Sequence, residues 1–183
     1  MTLEIAELDP PVNNKRDHIQ GPETAPATLV EFGDYECPYC GQAYPIIKEI
    51  QKYLGDNLRF VFRNFPLTQI HTHAQHAAEA AECAGAQNMF WEMHDILYKH
   101  QQALEDEDLK NYAELLKFNI PKFQSDLYNH SFAERVREDF LSGIRSGVNG
   151  TPTFFINGRR YNDSLDGETL TASLRSAINQ DKY

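Results

Sequence analysis

The sequence predicts an α/β fold interrupted by an all-helical insertion. Three observations predict it. An apolar, strand-like run ends in Cys37-Pro-Tyr-Cys40 and continues as a helix; the stretch 67–146 has helical periodicity almost throughout; and the C-terminal part reads as strand, tight turn, return strand and helix.

Residues 1–17 form an N-terminal arm with little periodicity, which Pro10-Pro11 and Asn13-Asn14 keep extended. A short strand from His18 precedes Gly21-Pro22. Thr28-Leu-Val-Glu-Phe32 is the next strand, broken by Gly33-Asp34. The helix that follows starts at the cysteines, with Pro38 in the first turn, where its missing N–H costs no intrahelical bond. It should run to Leu54 and stop at Gly55-Asp56-Asn57. Leu58–Phe65 is a strand with Leu58, Phe60 and Phe62 on one face and Arg59 and Arg63 on the other, closed by Pro66.

The insertion, 67–146, divides into helices over 74–84, 88–101, 106–118, 121–128 and 131–146. Gly85 can end the first. The second carries Phe90, Trp91, Met93, His94, Leu97 and Tyr98 as an aromatic face, the kind that forms core. Thr153–Ile156, the turn Asn157-Gly158 and Arg159–Tyr161 make a hairpin. The last helix buries Leu170, Leu174, Ala177 and Ile178 at i, i+4, i+7 and i+8. The expected domains are thus 18–66 with 147–183, and the insertion 67–146 between them.

A chain of 183 residues, 41% hydrophobic, can bury a substantial core. Its net charge of −10 and pI of about 5.1 exclude nucleic acid and anionic membrane as expected partners, since both need a basic surface. The start Met1-Thr-Leu-Glu-Ile-Ala-Glu-Leu-Asp-Pro-Pro11 lacks the basic, apolar and small-residue regions of a secretory signal, and no apolar run is long enough to span a membrane. The expected compartment is the cytoplasm.

A thiolate at a helix N-terminus faces free backbone N–H groups and the positive end of the macrodipole, so the Cys37 pKa should fall from about 8.5 towards the range of about 3.5–7. Cys37 is then the candidate nucleophile, and Cys40, one turn on and on the same face, the candidate resolving thiol of a redox disulfide. Taken alone, Cys-X-X-Cys also suits zinc or two inert thiols. Zinc needs two further ligands, and Cys83 is the only other cysteine.

Leu29-Val-Glu-Phe-Gly-Asp-Tyr-Glu-Cys-Pro-Tyr-Cys40, Gly147-Val-Asn-Gly-Thr-Pro-Thr-Phe-Phe-Ile-Asn-Gly158 and the helical segment between them resemble the thioredoxin superfamily, and within it the DsbA-like branch. The resemblance covers most of the chain and implies a thioredoxin fold with an inserted all-helical domain. It implies a thiol-disulfide oxidoreductase acting on protein or peptide thiols and disulfides, with glutathione a further candidate, and needing no metal or organic cofactor. The cytoplasm departs from DsbA, which works in the periplasm.

The resemblance also assigns roles. X–Pro bonds are mostly trans, but here it implies a cis Thr151–Pro152 bond packed against the redox pair, with the Thr151 backbone free to pair with an extended substrate. Glu31 sits in an apolar strand, where an ionised carboxylate is costly. The resemblance implies a buried acid that exchanges a proton with Cys40; the other reading is a strand-edge glutamate pointing to water. Glu36 is expected to act on Cys37 only electrostatically. Cys83, in an alanine-rich helix, is expected to pack as a small hydrophobe. His71, His73 and His76 lack the spacing of a metal site and read as solvated or capping residues. Two other functions stay open: an isomerase or glutathione-dependent transferase of a small molecule, and a non-catalytic peptide-binding or chaperone module.

Overall fold

The computed structural model describes residues 6–180. In order these form β1 (His18–Gln20), β2 (Ala27–Gly33), α1 (Pro38–Leu54), β3 (Leu58–Asn64), α2 (Ala74–Gly85), α3 (Phe90–Lys99), α4 (Asp106–Leu115), α5 (Ile120–Tyr128), α6 (Ala133–Arg145), β4 (Thr153–Ile156), β5 (Arg159–Arg160) and α7 (Gly167–Gln180). The expected thioredoxin fold with a helical insertion is what they build.

The strands form one sheet in the order β1-β3-β2-β4-β5, with β2 parallel to β3 and the other neighbours antiparallel. The two sequence halves therefore meet at β2, where Glu31 is paired with Phe62 on one side and Phe154 on the other. All seven residues of β2 are buried, as expected of a central strand covered on both faces. Leu29 faces the larger core, shared with α1, α7 and the insertion; Val30 and Phe32 face a second cluster with Val61, Phe65, Val148 and Phe155.

Within the insertion, the alanines of α2 let α3, α4, α5 and α6 approach it closely. Three of the helix ends that differ from the sequence expectation share one physical reason. Asn88, Lys117 and His130 adopt left-handed backbone, with φ of 61°, 60° and 52°. That conformation cannot continue a right-handed helix, so α3 starts at Phe90, α4 stops at Leu115 and α6 starts at Ala133. The hairpin turn keeps both positive φ values it needs, 46° at Asn157 and 82° at Gly158.

The N-terminal stretch, featureless in sequence, is tied down by the sheet. Leu8 is buried and Glu7 bridges to Arg159. The fully buried Arg63 donates from Nη1 to the Pro10 carbonyl at 3.0 Å, and pairs with Asp17 through Nε–Oδ1 at 2.9 Å and Nη2–Oδ2 at 3.0 Å.

Candidate active site

Cys37 is the N-cap residue of α1, in extended backbone with φ −71° and ψ 121°, and Pro38 is the first helical residue. Its N–H donates to the Asp34 carbonyl at 3.1 Å, which closes the turn out of β2. Cys40 lies one turn into the helix, fully buried, and both cysteines are free thiols. The Cys37 thiol donates to the Thr151 carbonyl at 3.4 Å, and the Thr151–Pro152 bond is cis. The loop before β4 thus delivers its backbone to the sulfur across the pairing of β2 with β4.

This setting separates the two thiols. A hydrogen bond from the Cys40 thiol is the largest influence on Cys37; burial opposes it, and the contact with Thr151 and the N–H groups of Cys40 and Tyr39 add to it, so Cys37 falls from 9.0 to about 5. Burial, then the bond to Cys37 and the charge of Glu31, push Cys40 well above 9.0. One sulfur is a thiolate at neutral pH and the other a protonated thiol. Only the first is in the ionisation state of a sulfur nucleophile.

Glu31 is 2% exposed on β2, and its Oε1 has no hydrogen-bond partner among the described residues. Burial, followed by the Cys37 charge, raises its carboxyl from 4.5 to about 8. It therefore does not point to water as a strand-edge glutamate would, and near neutral pH it holds a proton beside the two thiols. Tyr98 from α3 places nearby a buried hydroxyl that also has no hydrogen-bond partner among the described residues: a β-carbon added at Gly33 would lie 2.7 Å from it.

The insertion holds every residue of the loop between β2 and Cys37. Asp34 Oδ2 accepts from the Leu67 N–H and lies against His71 Nδ1, both at 2.8 Å. The Tyr35 hydroxyl lies 3.1 Å from His94 Nδ1, and burial drives His94 well below 6.5, so it is neutral. Glu36 accepts the His73 N–H at 2.7 Å, capping the start of α2. Gln101 reaches the Tyr35 and Cys37 carbonyls. Sequence reasoning missed Asp34, His94, Tyr98 and Gln101 as site residues; only the polar residues flanking the motif, Asp34 and Glu36, gave a local signal.

His71, His73 and His76 do not converge on one another. His71 faces Asp34, His73 faces Glu36, and His76 Nδ1 lies 2.6 Å from Asp106 Oδ1; no cluster of three or more metal-ligating side chains occurs among the described residues. Cys83 is fully buried on α2, and burial pushes its thiol up to about 12, as fits a packing residue.

Residues 13–176 match the family described as thioredoxin. The structure is similar to BdbD from Bacillus subtilis (oxidised), with TM-score 0.82 and 23% identity, covering 96% of this chain and 97% of that one. It is also similar to a thioredoxin-like oxidoreductase from Silicibacter pomeroyi, with TM-score 0.77, 22% identity and 91% and 92% coverage, and to alpha-DsbA1 from Wolbachia pipientis, with TM-score 0.78, 17% identity and 93% and 94% coverage. Among curated relatives, a protein named Na(+)/H(+) antiporter NhaA 1 from Salinispora arenicola is 50% identical over 176 residues, 95% of this chain and 26% of its own length. One named Na(+)/H(+) antiporter NhaA from Herminiimonas arsenicoxydans is 43% identical over 170 residues, 93% of this chain and 27% of its own. The chain spans about a quarter of the length of these curated relatives.

Proposed function

The chain belongs to the thioredoxin family, and we propose that it is a thiol-disulfide oxidoreductase that exchanges disulfides with protein or peptide substrates through Cys37 and Cys40. The asymmetry of the pair carries this reading: Cys37 at about 5, Cys40 well above 9.0. Cys37 thiolate attacks one sulfur of a substrate disulfide, and the other leaves as a thiol or thiolate. Cys40, giving up its proton, then attacks Cys37 in the mixed disulfide, which releases the reduced substrate and closes Cys37–Cys40. In the reverse direction a substrate thiolate attacks Cys37, and Cys40 is the leaving group. Glu31, close enough to be shifted by the Cys37 charge and to shift Cys40, is the acid that exchanges that proton. Thr151 offers its backbone to the substrate beside Cys37, with Pro152 bounding the site.

A nucleophile this acidic stabilises the dithiol form relative to the disulfide, which poises the couple towards disulfide donation. Its potential should lie nearer about −120 mV than about −270 mV, the values of DsbA and thioredoxin. A couple so far above the glutathione poise would be held reduced in the cytoplasm expected from sequence, so the measured potential tests that placement as well. The antiporter name belongs to proteins of which this chain matches about a quarter, and among the described residues no helix is long and apolar enough to cross a membrane. Thiol chemistry is what the matched quarter offers.

The test is exchange itself. The purified chain should reduce insulin with dithiothreitol, oxidise a reduced peptide dithiol when its own pair is a disulfide, and equilibrate with glutathione buffers. Peptide binding without exchange would favour the binding module, and turnover of small thiol-reactive substrates alone would favour the transferase or isomerase.

A further inference from the structure

Gln101 lies in the turn after α3, half-buried, and its amide nitrogen donates to two carbonyls of the loop before α1: Tyr35 at 2.9 Å and Cys37 at 2.9 Å. The Cys37 carbonyl also accepts the Gly41 N–H at 3.1 Å, the first helical bond of α1. The other end of the amide rests on Gly41, where an added β-carbon would lie 1.9 Å from Gln101 Oε1. Gly41 is inside α1, where any residue suits the backbone, so its missing side chain is required for space and not for conformation.

We propose that Gln101 is a positioning residue for the nucleophile: by joining the Tyr35 and Cys37 carbonyls it fixes the peptide planes on both sides of the N-cap, and so aims the Cys37 sulfur at the free N–H groups of the first turn of α1. The role rests on the oxidoreductase reading for its use, since a fixed sulfur serves disulfide exchange. Gln101 touches no reacting atom and carries no charge. Its loss can change the ionisation of Cys37 only by moving the sulfur relative to the groups that face it: Cys40 on α1, Glu31 on β2 and Thr151 before β4, with Glu36 next in sequence and paired with His73 at the start of α2. Through Gln101, a side chain of the insertion tunes a thiol of the sheet domain.

Gln101→Met keeps the length of the side chain and removes the donors. Gly41→Ala expels the Gln101 amide while leaving Gln101 in the sequence. In the reduced protein, the pH midpoint of iodoacetamide alkylation at Cys37 should rise in both variants by about half to one unit, which is about three- to tenfold fewer thiolates below the midpoint. In the double variant Gly41→Ala/Gln101→Ala the methyl group occupies the vacated space, so the shift should be no larger than in either single variant. A midpoint within about 0.2 unit of the parent in Gln101→Met and Gly41→Ala overturns the proposal, whatever happens to the melting temperature. If Gln101→Met fails to fold, Gly41→Ala decides alone, because alanine favours the helix it enters. Absence of disulfide exchange in the parent protein would overturn the oxidoreductase reading while the alkylation midpoints still decide the role of Gln101.

Discussion

His73 meets Glu36 twice, donating its backbone N–H to Oε2 at 2.7 Å and setting ring Nδ1 3.1 Å from Oε1, so the residue before Cys37 is fastened to the start of α2. The bond to Glu36 raises His73 above 6.5 against the opposing effect of burial. Burial works against Glu36, yet the His73 bonds hold its carboxyl below 4.5. A raised histidine contributes stability fully below its unfolded value of 6.5, and that contribution is lost as pH rises through the folded value. Both side chains are partly exposed, 41% and 23%, so solvent screening keeps the effect small.

The ring of His73, followed by NMR, should therefore titrate above 6.5 in the intact protein and move back towards 6.5 in Glu36→Gln. A parent value at or below 6.5 would break the pairing argument.

Cys37→Ser should abolish disulfide exchange, and Cys40→Ser should accumulate mixed disulfides with substrate, because attack still occurs and resolution does not. Non-reducing electrophoresis with mass spectrometry reads the adducts. Equal inactivity with no adduct in Cys40→Ser would undo the division of roles.

The placement of the cysteine pair at a helix start is legible in the sequence because its signals are local: an apolar strand, a breaker, and a proline suited to a first helical turn. The burial of Glu31 is only half legible: its apolar strand leaves a buried acid and a strand-edge glutamate both open, and the pairing of β2 on both sides decides between them. Gln101, His94 and Tyr98 are not, because they reach the site only when α3 folds back over the loop, and such pairings leave no periodicity. Asp17 lies in a stretch without pattern, so its pairing with Arg63 is equally silent. The left-handed Lys117 that ends α4 has no composition cue, since that backbone ordinarily calls for glycine or asparagine.

Glu31 should make the reduced protein less stable as pH rises. Its folded pKa of about 8 stands above 4.5, so the native state holds a proton that the unfolded chain has lost, and stability falls through that window. Cys37 slopes the other way: depressed to about 5 from 9.0, it contributes stability that is lost as pH falls through 5. The difference between parent and Glu31→Gln isolates the glutamate. Urea unfolding should show the variant gaining on the order of a few kcal/mol over the parent between pH 5 and pH 9, while its resolution step slows. Parallel pH profiles would reject this account.

Cys83→Ala should leave exchange within about twofold and cost stability, because the thiol is fully buried, held protonated, and surrounded by the helices of the insertion. A larger loss of activity at unchanged melting temperature would mean that Cys83 takes part in the chemistry.

Arg63→Met should be among the most destabilising single changes outside the active site. The arginine is fully buried and holds Asp17, whose side chain is also fully buried, together with the Pro10 and Pro11 carbonyls. Burial works against ionised Asp17, but the bonds and charge of Arg63 outweigh it and leave its carboxyl below 3.8. Methionine fills much of the same space and leaves that carboxylate with Arg16, 20% exposed, as its remaining charged partner. Removing one member of a buried pair costs about 3–5 kcal/mol, whereas replacing both by apolar groups is often near neutral. The variant Arg63→Met/Asp17→Leu should accordingly recover most of the loss. Arg59→Met on the same strand, which gives up a single bond to Thr28 Oγ1 at 3.1 Å, should cost no more than about 1.5 kcal/mol. The sign of the pH dependence follows from the depressed carboxyl: the parent's advantage over Arg63→Met is present above 3.8 and shrinks as pH falls through the folded value of Asp17. Urea midpoints at neutral and acidic pH measure it. An Arg63→Met that unfolds no more readily than Arg59→Met would mean that the ion pair only just offsets its own desolvation.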